Sequence, residues 1–412
     1  MSPALPRTLL AFALALALLT AWSPSRDSAA TLSPATVSSS SAAVIVAPAT
    51  ARPVAPRVRE FPVPPVSPAL QATRPQTVAL STPRPSHGFG VVGATWRGAP
   101  PAGLGVEVRT RTGQRWSSWT ALRVDPGEHG PDARSAEAGT ARPGTDPLVV
   151  GNVDRVQMRA TSPSGRAPRD LTLSVVNPGR SPADDDPVAV VRGSAPQPAA
   201  VVGQAPRPQI RSRAAWGANE RLRTRRPTYG VVRAGFVHHT VSTTSYPRAA
   251  VPAMIRGVYA FHVRGRGWSD IGYNYLVDRF GRIWEGRFGG VARNVIGAHT
   301  LGYNHLAFAM SAIGNFQTAR PSPAVLRAFG RLMAWKLGIN GVAAGDLRQR
   351  LRGRVLRAIS GHRDAGSTLC PGRHLYARIA VIRGIAVAAQ RDGTPPEPPP
   401  EPPPEDGGPG PG

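Results

Sequence analysis

The sequence predicts an α/β domain, a mixed β-sheet flanked by helices, preceded by a small all-β sandwich and set among extended linkers. Three observations carry this. The 412 residues include 45 prolines and 44 glycines, too many for one continuous core, so much of the chain is linker. Short β-prone runs broken by Gly, Pro and Asp fill residues 86–178. From residue 206 onward, strand-like and helix-like runs alternate up to residue 391.

Taken in order, residues 1–30 read as a secretory signal peptide: Arg7, then an apolar run from Leu9 to Trp22, then small residues ending at Ser28-Ala29-Ala30. That run is shorter than the roughly 18 residues a membrane span needs. The mature chain is therefore expected to be secreted into, or beyond, the cell envelope with no integral membrane segment. Residues 31–85, rich in Ala, Pro, Ser and Thr, suit a disordered spacer. In the all-β domain, 86–178, the runs Val91–Trp96, Val106–Thr110, Val156–Arg159 and Leu171–Val176 are strands, and Trp96, Trp116 and Trp119 are expected to be its core. Residues 179–205 form a second linker in which Asp184, Asp185 and Asp186 read as solvated charge, with no other metal ligands nearby. The last segment, 392–412, is a Pro/Glu-rich tail suited to polyproline II.

Within 206–391, Gly235–His239 reads as a buried strand ending in two histidines. Val251, Met254, Ile255 and Val258 mark one face of a helix over 249–261. Arg279-Phe280-Gly281 links two strands as a hairpin. A strand over 306–316 follows. Ser322-Pro323 then opens a helix that Gly338 ends, and a last helix spans 374–390.

Charge narrows the partner. The formal net charge is +26, and residues 206–391 carry 30 basic residues, 29 of them arginine, against 6 acidic ones. Such a surface suits a polyanion or simply reflects arginine-rich coding, and export favours an anionic envelope polymer over nucleic acid.

The only cysteine, Cys370, stands eight positions after His362 in Ser360-Gly361-His362-Arg363-Asp364-Ala365-Gly366-Ser367-Thr368-Leu369-Cys370-Pro371-Gly372. A lone thiol in an exported chain is a buried apolar group, an intermolecular link, a nucleophile or a metal ligand. A catalytic zinc takes three nitrogen or sulfur ligands and keeps a fourth position for water. His238, His362 and Cys370 suit such a set, although the spacing is not that of a zinc finger and nine histidines offer other combinations. His239, His262, His299 and His305 read as packing or hydrogen-bonding residues.

Seven motifs occur in order: Arg213-Ala214-Ala215-Trp216-Gly217-Ala218; Phe236-Val237-His238-His239-Thr240; Trp268 through Val277; Trp284-Glu285-Gly286-Arg287; Gly297-Ala298-His299-Thr300; Ser311 through Phe316; and Gly361 through Gly372. In these the chain resembles the peptidoglycan recognition proteins, which belong with the zinc-dependent N-acetylmuramoyl-L-alanine amidases of type 2. The upstream β segment, with Arg115-Trp116-Ser117-Ser118-Trp119, resembles the companion domain of secreted actinobacterial members. The resemblance implies one Zn2+ ion held by His238, His362 and Cys370, a catalytic tyrosine at Tyr273, and Thr368 steadying the same intermediate. It implies peptidoglycan as the partner, with His299 and Asn304 as contacts to glycan or stem peptide. Glu285 is expected to brace the sheet through Arg287. Binding-only members usually lack the cysteine, so Cys370 favours an enzyme over a non-catalytic peptidoglycan-binding protein. Animal members carry a disulfide near the His-His-Thr strand; this chain has none, and packing alone must hold that region.

Overall fold

A computed structural model describes residues 53–73, 76–185 and 205–392. The expected signal peptide, the start of the spacer, most of the second linker and the Pro/Glu-rich tail lie outside the described residues.

The first ten strands are β1 (Arg57–Pro62), β2 (Thr77–Leu80), β3 (Arg84–Pro85), β4 (Phe89–Arg97), β5 (Gly105–Thr112), β6 (Arg115–Trp116), β7 (Thr120–Leu122), β8 (Leu148–Asn152), β9 (Arg155–Thr161) and β10 (Arg169–Asn177), with a short helix α1 (Pro68–Thr73) after β1. They form two sheets, β1-β10-β4-β8 and β2-β9-β5-β6, with β3 paired to β9 and β7 to β5. Alternation along β5 turns Val106 and Val108 inward, where they meet Val92, Ala94 and Trp96 of β4 and Met158 of β9. This is the expected sandwich.

Two expectations change here. The spacer expected over 31–85 ends earlier, because β1, β2 and β3 pair with β10 and β9. Their Pro-rich sequence hid them: β1 lies at a sheet edge, where alternation is weak and Pro is tolerated. Trp116 and Trp119 are only half-buried, and Arg109 lies over both rings at 4.6 and 4.8 Å from their centroids. They belong to a cation–π stack rather than to the core.

The second half is built on a six-stranded sheet in the order β11-β14-β13-β15-β12-β18. Its strands are β11 (Ile210–Arg211), β12 (Ala234–His239), β13 (Tyr275–Val277), β14 (Ile283–Glu285), β15 (Ala307–Ala312) and β18 (Ile359–Gly361); a separate hairpin pairs β16 (Gln349–Leu351) with β17 (Arg354–Leu356). Only β13 and β14 run antiparallel, joined by the expected hairpin, in which Gly281 takes a positive φ of 81°. Helix α2 (Pro182–Asp185) precedes this sheet; α3 (Ala250–Ala260) covers one face, and α4 (Pro323–Gly338), α5 (Arg373–Tyr376) and α6 (Ile379–Asp392) follow. Val237, Met310 and Tyr275 pack with Phe329, Leu332 and Ile382 of α4 and α6, while Leu276 and Trp284 pack on the α3 side.

The Ser322 hydroxyl accepts the Val325 amide at 3.3 Å and caps α4 as the sequence predicts. The strand expected over 306–316 is shorter, and the helix expected over 374–390 is broken between Tyr376 and Ile379. Helix α3 is buried all round, Arg256 included, because the β domain covers its outer side: Val91 of β4 belongs to the same cluster as Met254 and Val258. Arg256 pairs with Asp184 at 2.7 Å, so that aspartate anchors the start of the second linker instead of lying in solvent.

Candidate metal centre

Parallel pairing closes a gap of more than a hundred residues. β12 runs beside β18 with Val237 opposite Gly361, so His238 and His362 emerge at the same end of the sheet. Alternation sends Val237 into the α4/α6 core and leaves His238 on the other face. His362 opens a single 3₁₀ turn, and the loop after it folds back so that the Arg363 amide donates to the Cys370 carbonyl at 3.0 Å. Cys370 Sγ then lies 3.5 Å from His238 Nδ1 and accepts the His239 amide at 3.4 Å. The three residues expected as ligands therefore converge, each with no solvent exposure.

A fourth side chain joins them. His129, from the segment Arg123–Arg142 between β7 and β8, places a ring nitrogen in the same cluster, and the ligand atoms of His129, His238, His362 and Cys370 all lie within 4.8 Å of one another. The His129 ring is 4.5 Å from that of His362 and 5.6 Å from that of His238. It carried no sequence signal, since it lies outside every motif of the α/β domain. The only cue was a histidine in a Gly/Pro-rich connection, Asp125-Pro126-Gly127-Glu128-His129-Gly130-Pro131.

The donor set suits zinc. With Zn–N near 2.0 Å and Zn–S near 2.3 Å, the edge of a tetrahedral site is about 3.5 Å, the separation seen between Cys370 Sγ and His238 Nδ1. Both ring nitrogens of His362 are buried without hydrogen-bond partners, an arrangement that costs free energy unless a cation takes up its lone pair. Burial, with neighbouring imidazoles, holds His238 well below its usual pKa; for His362 burial and the charges of His129 and Arg123 do the same. Both rings are thus neutral and able to ligate. His129 differs: burial lowers its pKa, but Asp125, 3.6 Å away, together with Cys370 and Asp146, pushes it up to about 10. A metal bound there displaces that proton.

Around the cluster, His238 Nε2 lies 3.1 Å from Thr300 Oγ1, and the same hydroxyl lies 3.0 Å from His299 Nδ1. With Nδ1 facing Cys370, this relay fixes the His238 tautomer and ring plane. Thr300, a buried hydrogen-bond partner of His238, lies in a motif but was not singled out by sequence reasoning.

Tyr273 is buried with its ring 5.6 Å from that of His238; burial and the nearby Asp146 and Cys370 raise its pKa well above the usual value. Thr368 Oγ1 accepts the Cys370 amide at 3.2 Å and a short hydrogen bond from the Arg123 guanidinium, itself paired with Asp146 at 2.9 Å. His299 and Asn304 are both buried. Asn304 Oδ1 accepts the His299 and Thr300 amides, and its Nδ2 donates to Asp132 at 2.7 Å and to the Gly130 carbonyl. In this conformation both are engaged internally. The expected brace between Glu285 and Arg287 is not formed: Glu285 accepts the Arg213 amide at 3.4 Å, and Arg287 pairs with Glu137 of the β7–β8 segment at 2.8 Å.

Two family models match. Residues 228–373 match the family described as N-acetylmuramoyl-L-alanine amidase, and residues 39–189 match the family described as Rv3811 N-terminal galactose-binding domain-like. Peptidoglycan recognition protein 1 of Bos taurus is 35% identical over 173 residues, which cover 40% of this chain and 80% of the bovine one. Peptidoglycan-recognition protein LE of Drosophila melanogaster is 34% identical over 167 residues, 40% of this chain and 44% of the fly protein. An N-acetylmuramoyl-L-alanine amidase of Homo sapiens is 35% identical over 175 residues, 41% of this chain but only 27% of the human one. The chain thus spans less than half the length of the last two relatives.

Proposed function

The chain belongs to the peptidoglycan recognition protein and type 2 amidase family, and we propose that this member is a secreted, zinc-dependent N-acetylmuramoyl-L-alanine amidase acting on peptidoglycan. The bond cleaved would be the amide between the lactyl group of muramic acid and L-alanine. The observation that carries this reading is the convergence of His238, His362 and Cys370, buried and close enough to share one ion, beside Tyr273 and Thr368.

Those three side chains would hold a zinc ion, which would supply a nucleophilic water at neutral pH and polarise the amide carbonyl. Tyr273 stays protonated because burial raises its pKa, so its hydroxyl is a donor for the oxyanion that develops at the carbonyl. Thr368 sits two residues before Cys370 with its hydroxyl tied to the Cys370 amide, which holds it beside the reacting atoms. Thr300 and His299 keep His238 in the ligating tautomer. His299 and Asn304 reach glycan or stem peptide only after their present partners are released.

The second reading is a non-catalytic peptidoglycan-binding protein, which the name recognition protein on the bovine and fly relatives favours. Zinc analysis combined with mass spectrometry of digested peptidoglycan separates the two. Stoichiometric zinc with release of peptides bearing a new L-alanine amino terminus supports the amidase; wall binding with neither zinc nor released peptide supports the binder. Export and attraction to anionic wall polymers belong to the same proposal, supported by the leader-like N-terminus and by 30 basic residues between 206 and 391.

A further inference from the structure

The β7–β8 segment, Arg123–Arg142, crosses the metal end of the catalytic sheet as a strap. Its four carboxylates each meet a donor of the α/β domain: Asp125 with Arg266 at 2.8 Å, Glu128 with the Ser367 amide at 3.0 Å, Asp132 with Asn304 at 2.7 Å, and Glu137 with Arg287 at 2.8 Å. Two of these carboxylates thus meet arginines of the strongly cationic α/β domain, although the strap itself also carries Arg123, Arg134 and Arg142. The fit is close: a Cβ at Gly366, on the loop between His362 and Cys370, would collide with the Glu128 carboxylate. His129 is held by the backbone, not by chance packing, since Asp125 Oδ1 accepts the amides of Gly127, Glu128 and His129 at 3.0–3.2 Å. The strap also engages two residues proposed to meet substrate or intermediate, Thr368 through Arg123 and Asn304 through Asp132.

We propose that His129 is a fourth protein ligand to the metal, delivered by the β domain, and that the strap carrying it keeps the enzyme latent. This rests on the zinc reading above. A catalytic zinc site needs one position open to water, and a closed set of four protein ligands is the mark of a structural site. With His129 in place the cluster offers three imidazoles and one sulfur, a complete set. The same strap lies where the substrate contacts are expected, so metal and groove are closed by one element. Activation then requires the strap to leave, and carboxylates of the wall peptide would compete for the two cationic donors, Arg266 and Arg287.

The test uses the full chain and does not depend on cleavage. X-ray absorption at the zinc edge of the wild-type protein is expected to show three imidazoles and one sulfur. Two imidazoles, one sulfur and an oxygen would overturn the proposal. In the cobalt-substituted protein, azide should leave the visible spectrum of wild type unchanged and shift that of His129→Gly, and free imidazole should reverse the shift. His129→Gly should also weaken zinc binding at least tenfold in chelator competition, as loss of even an outer partner costs about 10–100-fold. An azide response in wild type equal to that of the variant would sink the idea even if the variant folds poorly. Absence of metal from both proteins would remove the zinc reading itself, whereas bound metal with an open fourth position removes the His129 ligand and the latency but leaves the zinc reading standing.

Discussion

Cys370 is pinned by its own backbone neighbours: its sulfur takes the His239 amide, its nitrogen donates to Thr368 Oγ1, and its carbonyl accepts from Arg363. Cys370→Ala or Cys370→Ser should therefore leave the sheet intact but lower zinc content and abolish muropeptide cleavage; full activity in a metal-free preparation would refute the ligand role. In the proposed mechanism Tyr273 would act on the oxyanion rather than on the ion. Tyr273→Phe should cut turnover by about 10²–10³, the range for loss of one oxyanion donor, while zinc stays stoichiometric. Loss of metal in that variant would show that Tyr273 is structural. Thr300→Val removes the acceptor for His238 Nε2 and should weaken metal affinity about 10–100-fold in chelator titration; unchanged affinity would show that packing alone orients the ring. The candidates His238, His362 and Cys370, which the fold brings together, were legible from their types and motifs. Thr300 was present in a motif, but its role depends on a hydrogen bond to a residue 62 positions away, which no local pattern encodes.

At the level of elements, the strand–helix alternation, the hairpin over Arg279-Phe280-Gly281 and the Ser322 cap followed from periodicity and turn chemistry. Elements that fail those rules are the ones other elements cover. Helix α3 has no solvent face because β4 packs on it, and β1 escaped notice because its Pro-rich sequence pairs only at an edge. The strap is held by ion pairs between elements, and the most informative is Glu137 with Arg287, where the carboxylate also takes the Ser269 amide at 2.7 Å. Glu137→Ala leaves Arg287 buried and short of its counter-charge. That should cost toward the lower end of about 3–5 kcal/mol, since Arg287 keeps hydrogen bonds to the Ile271 and Ile296 carbonyls. A lowered thermal midpoint in calorimetry checks it. The pH dependence has a fixed sign. Burial raises the Glu137 pKa, but Arg287 and the Ser269 amide outweigh it and hold it below the usual carboxylate range. Its contribution is complete above the unfolded value near 4.3 and is lost as pH falls through the folded value. Wild type should lose more stability than Glu137→Ala between about pH 5 and pH 3, and parallel acid limbs would show that the pair is not coupled to the joint.

For the whole molecule, the candidate metal cluster draws side chains from both domains: His129 from the β half, His238, His362 and Cys370 from the α/β half. Binding to the folded state alone raises stability with ligand concentration, so stripping metal with a chelator should lower the thermal midpoint of wild type, and by less for His129→Gly. Equal shifts would mean that the ion does not join the domains. Among the described residues no helix is long and apolar enough to cross a membrane. What the sequence determined by itself was the pair of fold classes and the family, and it singled out His238, His362 and Cys370 as candidates, because periodicity, turn residues and in-order motifs are written in local runs of the chain. What only the tertiary structure decided was the closure of the site. The strap, His129 and the Glu137–Arg287 pair join positions more than a hundred residues apart across two domains, and their meeting is fixed by charge complementarity and packing between those domains.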